Sequence, residues 1–274
     1  METRRYRSLE ERLKLYEVAL NLRRRGFGYK RISRIIKETY GEKLNPGMIC
    51  NWVNNRYHPL GRNNKLVPGS SLAYVIGGWL GDGSLNIDKK RGKHMILLKV
   101  KDYEFAEEWG KCLATALGRN RPCLPAREKD GRWRVKCSSK LLYRLLEESV
   151  ENPRILMPFL EPYPADACRG FFDAEGTVDR DFYRIKVGVT RKALIDMFGK
   201  LLRELSIDFR IHKWSQRRYF KSPRSSRTYR RKELVMYCLA IYGRENVLKF
   251  ANHIGFTIFR KQVALKRLLE RYRL

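Results

Sequence analysis

No C-x-x-C pair occurs in this 274-residue chain, and its six cysteines (Cys50, Cys112, Cys123, Cys137, Cys168 and Cys238) are scattered. The four histidines also lie far apart. A zinc site or a disulfide framework is therefore not expected, and unpaired thiols fit a reducing compartment. Long apolar runs are missing too. The longest, Leu72 to Leu80, is too short to span a bilayer. Met1 to Arg12 is polar and charged, which excludes a signal peptide at that end. The expected location is the cytoplasm of a prokaryote, an archaeon first, with an organelle as the alternative. Glutamine occurs only at Gln216 and Gln262 beside abundant Arg, Lys and Glu, which points to a thermophilic source.

Acidic residues are scarce relative to basic ones: 29 Asp and Glu against 59 Lys and Arg, a net charge of +30. A charge that large opposes compaction unless a polyanion takes it up. Ribosomal and membrane-surface proteins share this balance, but nucleic acid is the partner it fits best. Hydrophobic residues make up 43%, enough for a real core, so disorder is excluded.

Residues 1–68 read as an all-helical domain. Leu9, Leu13, Tyr16 and Leu20 fall at helical spacing. Gly26-Phe27-Gly28 ends that helix, and a second follows from Tyr29 with Ile32, Ile35 and Ile36 inward and Gly41 as its stop. Asn45-Pro46 reads as an N-cap and first helical position. The third helix turns Met48, Ile49, Trp52 and Val53 inward and shows Gly47, Cys50, Asn51, Asn54 and Asn55 outward. This is the helix-turn-helix plan, in which the third helix enters the major groove and Asn51, Asn54 and Asn55 can pair with adenine edges. Three short helices alone do not establish it, but residues 1–69 also hold 16 Lys and Arg against 6 acids. Leu60 to Ser71 reads as a linker.

The remainder repeats. The first half predicts a helix ending at Asp82-Gly83 and a strand over Ser84–Asp88. A strand over Met95–Lys101 and a helix over Tyr103–Leu117 follow. Strands over Cys123–Glu128 and Trp133–Cys137 and a helix over Lys140–Glu148 complete it. The second half predicts a helix ending at Glu175-Gly176, then strands over Thr177–Asp181 and Tyr183–Val189. A helix over Lys192–Leu205, strands over Phe209–Gln216 and Leu234–Ile241, and a helix over Glu245–Ile254 follow. Each half is α-β-β-α-β-β-α, giving an α+β chain of two pseudo-symmetric subdomains, 69–164 and 165–274.

The repeats open on Ala73-Tyr-Val-Ile-Gly-Gly-Trp-Leu-Gly-Asp-Gly-Ser84 and Cys168-Arg-Gly-Phe-Phe-Asp-Ala-Glu-Gly-Thr177, with Asp82 and Glu175 93 residues apart. These segments resemble the two motifs of a monomeric LAGLIDADG homing endonuclease, RGFFDAEG closely and the first in its GxxxGDG form. The resemblance covers residues 70–274 and implies a saddle that binds double-stranded DNA. The residues themselves give a physical reading. Gly77 and Gly170 let two helices approach, which offsets a cost of up to about 1 kcal/mol for glycine in a helix. Asp82 and Glu175 then meet at one end, and two like charges need a cation. Mg²⁺ is the natural choice, as a hard ion that takes carboxylate, water and phosphate oxygens. The alternative is a pair of helix ends with exposed acids.

The resemblance further implies two or three divalent ions shared between the carboxylates, with the carbonyls of Gly81 and Ala174 as added ligands. It offers Lys101 as a basic residue near the metal. The repeat puts Thr190 at the matching point, and Lys261, just before the last helix, is a second candidate.

Lys213 to Lys232 holds nine Lys and Arg, no acid, and interleaved Trp214, Tyr219, Phe220 and Tyr229. It reads as a solvated loop or as a long hairpin in the major groove, with Arg217, Arg218, Arg227, Arg230 and Arg231 on phosphates or guanines. The leading functional expectation is a site-specific double-strand endonuclease acting as a monomer. The alternatives are an RNA maturase acting on a host intron and a non-catalytic DNA-binding regulator on the same fold.

Overall fold

A capping box opens the first helix. Ser8 Oγ accepts from the Glu11 amide at 3.1 Å, and Glu11 returns a carboxylate to the Ser8 amide at 2.7 Å. This starts α1 (Leu9–Arg24), followed by α2 (Tyr29–Tyr40) and α3 (Pro46–Val53). Gly41 ends α2 in the left-handed region at φ 68°, as its position predicts. Asn45 Oδ1 caps α3 through the Gly47 amide at 2.8 Å, with Pro46 in the first turn. The computed structural model describes residues 7–61, 65–179, 181–215, 219–221, 228–230 and 235–272.

Two compact units emerge, Met1–Lys65 with Ser139–Leu141, and Leu66–Ser138 with Leu142–Leu274. In the first, the core is Leu15, Ala19, Ile32, Ile36, Leu44, Ile49 and Trp52. The stripe expected on α1 is therefore turned: Leu15 and Ala19 are buried, whereas Leu9, Leu13 and Leu20 are only half-buried. Trp52 sets this register, since Tyr16 meets it edge-on at 5.6 Å. Part of the expected linker is also structured. Val67 donates to the Ala116 carbonyl at 2.8 Å, and Ser70 and Ser71 already belong to α4.

The second unit is built on α4 (Ser70–Asp82) and α8 (Pro164–Glu175). Every residue of α4 from Leu72 to Leu80 is buried, as a helix apolar on all sides must be. The two helices cross at their glycines. A Cβ on Gly77 would stand 2.2 Å from the Ala167 carbonyl oxygen, and one on Gly170 would stand 2.2 Å from the Tyr74 carbonyl oxygen. Only backbone hydrogen fits there, so the contact fixes both helix type and register.

Around α4 lie β1 (Gly83–Asp88), β2 (Lys93–Val100), α5 (Tyr103–Ala116), β3 (Ala126–Arg127), β4 (Trp133–Ser138) and α6 (Lys140–Glu151). A 3-10 turn at Pro153–Leu156 and the short α7 (Met157–Leu160) lead into α8. Around α8 lie β5 (Gly176–Asp179), β6 (Arg184–Val189), α9 (Lys192–Glu204), β7 (Arg210–Ser215), β8 (Tyr219–Lys221), β9 (Thr228–Arg230), β10 (Val235–Tyr242), α10 (Arg244–His253) and α11 (Phe259–Arg271). The sheets are antiparallel with matching orders, β1-β2-β4-β3 and β5-β6-β10-β7.

The strand expected over Cys123–Glu128 shrinks to Ala126–Arg127. Cys123 instead turns inward, its amide bonded to the Gly110 carbonyl at 3.1 Å. The expected strand Met95–Lys101 ends one residue earlier, at Val100, leaving Lys101 outside the ladder. All six cysteines are unbridged. No helix among the described residues is long and apolar enough to cross a membrane.

Candidate nuclease site

Asp82 is the last residue of α4 and Glu175 the last of α8. One residue before these ends the helices touch: a Cβ on Gly81 would stand 2.5 Å from Ala174 Cβ and 3.0 Å from Glu175 Cγ. The crossing thus brings Gly81, Asp82, Ala174 and Glu175 together. Lost hydration raises the pKa of both carboxyls, and the charge on Asp82 raises that of Glu175 further. Among the described residues neither carboxylate has a hydrogen-bond or ion-pair partner. The charge of Lys261 reaches both acids only through space.

The two acids look onto different surroundings. Asp82 borders a cavity of about 230 Å³ with Lys99, Lys101, Asp102, Arg132, Arg260 and Lys261. Glu175 borders one of about 440 Å³ with Thr177, Arg184, Lys186, His212 and Trp214. Lys101 shares the smaller cavity with Asp82 and is exposed.

Lys261 is not ahead of the last helix but inside its first turn, and it is buried. Its ammonium donates to the carbonyls of Phe172 at 3.1 Å and Asp173 at 2.5 Å. Burial lowers its pKa to about 8 against the pull of Asp173, Asp102 and Asp82. Because carbonyls hold its protons, it lends charge to the acids without pairing with either.

Sequence reasoning missed the polar network beneath this site. The Tyr74 hydroxyl donates to Asp173 Oδ2 at 2.8 Å and lies 3.1 Å from Thr257 Oγ1. The Thr257 amide donates to Asp173 Oδ1 at 2.9 Å. Arg260 forms two 2.7 Å bonds with Asp102, next to Lys101. Together these fasten the start of α11 against the ends of α4 and α8. The signal was available: Asp173 and Tyr74 are polar groups on helices otherwise read as core, and such groups need partners.

The outward faces of the sheets were missed as well. Strand register puts Lys93, Lys99, Arg134 and Lys136 on one, and Arg184, Lys186, Arg210 and His212 on the other. Period-two alternation of cations, K-x-x-x-x-x-K, R-x-K, R-x-K and R-x-H, carried that signal. Several of these cations are already engaged. Asp179 accepts from Arg184 and Lys186, and Asp130 from Lys99 and Arg132.

Of the expected hairpin, β8 and β9 do pair antiparallel, and Arg230 belongs to β9. Arg217, Arg218, Arg227 and Arg231 lie outside the described residues. On the first unit, α3 ends at Val53. Asn51 is exposed on the helix, but Asn54 is its cap and donates to the Cys50 carbonyl at 2.9 Å. Asn55 lies beyond the helix at φ 54°. The three asparagines therefore do not form one helical face.

Comparison with known proteins places this architecture. The LAGLIDADG-like domain family matches residues 164–255. An uncharacterized protein of Methanocaldococcus jannaschii is 32% identical over 267 residues, covering 96% of each chain. The homing endonuclease I-DmoI, in complex with DNA and Ca, is 20% identical over 72% of this chain and 97% of its own, with a TM-score of 0.49. Full-length DUF199/WhiA from Thermatoga maritima is 15% identical over 77% of this chain and 64% of its own, with a TM-score of 0.43. The α-β-β-α-β-β-α repeat, the glycine-packed helix pair and the family match converge, and the chain belongs to the LAGLIDADG-like family.

Proposed function

We propose that this chain is a divalent-metal-dependent endonuclease that cuts double-stranded DNA at a specific site and acts as a monomer. The observation that carries the reading is the convergence of Asp82 and Glu175, both unpaired, at one end of the α4–α8 crossing. The donor chemistry suits Mg²⁺. The acids are hard oxygen ligands, and burial raises the pKa of both, so a bound cation would favour their ionised form. The described residues gather no cluster of three His, Cys, Asp or Glu side chains, so the other ligands would be the carbonyls of Gly81 and Ala174, water and the DNA. A bound divalent ion would lower the pKa of an attacking water and stabilise the leaving oxygen.

The protein's own groups do the rest. Asp82 and Glu175 hold the ion on the axis between the halves. Lys261 balances charge from beneath and orients the α8 end through its two carbonyl bonds. Lys101, exposed in the cavity it shares with Asp82, would contact the scissile phosphate or its water. The outward cations of both sheets and the β8–β9 ribbon grip the backbone, with salt dependence as the consequence. The helical unit is a second DNA-binding module of the helix-turn-helix kind, reading bases through Asn51. Joined by a linker, it raises affinity without adding catalytic contacts.

The test is incubation with a randomised duplex library and Mg²⁺, followed by sequencing of the cut ends. A unique cut site, lost in Asp82→Asn, is expected. Site-specific binding without cutting would instead make the chain a regulator, and selective binding of a folded intron RNA would make it a maturase.

A further inference from the structure

Between Val18 and Lys37 the chain carries seven Lys and Arg and no acid. The structure gathers this charge at the turn between α1 and α2. There Gly26 takes φ 87° and reverses the chain. Two aromatic rings, Phe27 and Tyr29, sit half-buried against the core of the first unit and leave one side to solvent. Guanidiniums cover them: Arg31 lies 4.7 Å from the Phe27 ring centre, Arg25 lies 5.8 Å from the same ring, and Arg23 lies 4.9 Å from Tyr29. Arg23 is also pinned through Nη1 to the Phe27 carbonyl at 3.2 Å. Lys30, Arg24 and Arg34 stand exposed around them. Among the described residues none of these six cations forms an ion pair.

α3 offers the opposite. Pro46 to Val53 contains no charged residue. A helix without cations releases few counterions when it meets phosphates, and that release supplies most non-specific affinity. Stacked guanidiniums supply that release. Each lies 4.7 to 5.8 Å from a ring centre, which narrows the side-chain freedom left to lose, and a guanidinium carries a planar fork of donors suited to phosphate.

We propose that the α1–α2 turn, with Arg23, Arg25 and Arg31 stacked on Phe27 and Tyr29, is a clamp for the phosphodiester backbone of duplex DNA. It supplies the affinity of the first unit, while α3 contributes at most base choice. The inference rests on the DNA-binding reading above and assigns it a surface.

The experiment uses the full chain in EDTA, so that no strand is cut, and a mixed-sequence duplex as probe. Binding is titrated against salt for wild type, Arg23→Gln/Arg31→Gln and Asn51→Ala. Each lost phosphate contact lowers the slope of log K against log salt by about 0.9, so the double variant should lose roughly 1.8. Asn51→Ala should leave the slope unchanged. Arg23→Lys/Arg31→Lys keeps the charges and loses the stacked fork. It should hold the slope and bind several-fold more weakly. If the glutamine pair loses helical circular dichroism, Arg24→Gln/Arg34→Gln, which touches no ring, gives the same readout.

An unchanged slope in folded variants overturns the proposal. A loss seen with a single-stranded RNA probe and not with the duplex also overturns it and assigns the surface to RNA. Absence of cleavage in the library experiment would leave this binding result standing, so the two readings fail separately.

Discussion

Asp82 and Glu175 end equivalent helices, yet Asp82 faces Lys101, Asp102, Arg260 and Lys261, whereas Glu175 faces Thr177, Arg184, Lys186 and His212. The backbone repeats because the crossing demands it: glycine on both sides, matching sheet orders, matching pairing of the glycine after each acid. Gly83 pairs with Leu98 and Gly176 with Val187, so three residues further on Lys101 matches Thr190, and the next residue, Asp102, matches Arg191. The side chains diverge because α11, which follows the second half, brings Arg260 and Lys261 to the Asp82 side. Symmetry here belongs to packing, and asymmetry to the electrostatics of the site. A duplex has two strands, so the comparison asks whether the halves are equally necessary.

The strongest test removes one acid at a time. Asp82→Asn and Glu175→Gln should each reduce cleavage by at least about 10²–10³-fold, the cost of losing one preorganised charge-stabilising group. Gel-shift affinity should hold or improve, because each change removes a negative charge near phosphate. Nicking assays that label each strand decide the comparison. Loss of both cuts in both variants makes the acids one shared centre. Normal cutting by either variant removes that residue from the mechanism.

The packing side of the comparison predicts near-equal effects. Gly77→Ala and Gly170→Ala each drive a methyl to 2.2 Å from a backbone oxygen of the partner helix, so each should cost about 1–3 kcal/mol or more in denaturant unfolding. Gly78→Ala meets the Trp109 and Phe105 side chains at 3.0 and 3.1 Å, which can shift, and should cost less than either. A tolerated Gly170→Ala would break the symmetry claimed for the crossing.

Lys261 marks the asymmetry, and its titration gives a pH signature in the metal-free protein. Burial lowers its folded pKa to about 8, below the ordinary 10.5, so the unfolded chain binds more protons between those values. Stability should therefore rise with pH across that window, by no more than about 3 kcal/mol in total. Below pH 8 the group is charged in both states, and this contribution is flat. Lys261→Met should abolish the rise. A wild-type curve that falls between pH 8 and 10 would contradict the assignment.

Much of this was readable in the sequence, for identifiable reasons. The acids, the glycines and the order of elements were legible because backbone demands leave local marks: Gly77 and Gly170 inside apolar helices, and D-G and E-G at their ends. The Lys101 position followed from the family resemblance, and the repeat supplied only its counterpart, Thr190. Lys261 was offered only as a second candidate and Thr257 not at all, because both meet α8 only through the tertiary return of the chain, more than 80 residues after the residues they touch. The α1 stripe was misread because half-buried Leu13 and Leu20 look as apolar as buried Leu15, and only Trp52 decides which faces inward.

The smallest expected effect concerns the tie between α11 and the first half. Arg260 and Asp102 share two 2.7 Å bonds, but the Arg260 side chain is 65% exposed, so water screens much of the attraction. A double-mutant cycle with Arg260→Gln and Asp102→Asn should give a coupling of about 0.2–1 kcal/mol at neutral pH. Its pH dependence has a defined sign. The hydrogen bond from Arg260 holds the Asp102 carboxyl below its ordinary 3.8. The contribution is therefore fully present above that unfolded value and is lost as pH falls through the lower, folded one. Because Asp102 is matched by Arg191 in the second half, which instead donates to the Val150 carbonyl at 2.8 Å, the same cycle has no counterpart there. A coupling well above 1 kcal/mol, or one that persists in strong acid, would mean that the bridge does more than hold α11 in place. The Asp82 side would then owe its distinct character to this pair rather than to buried Lys261.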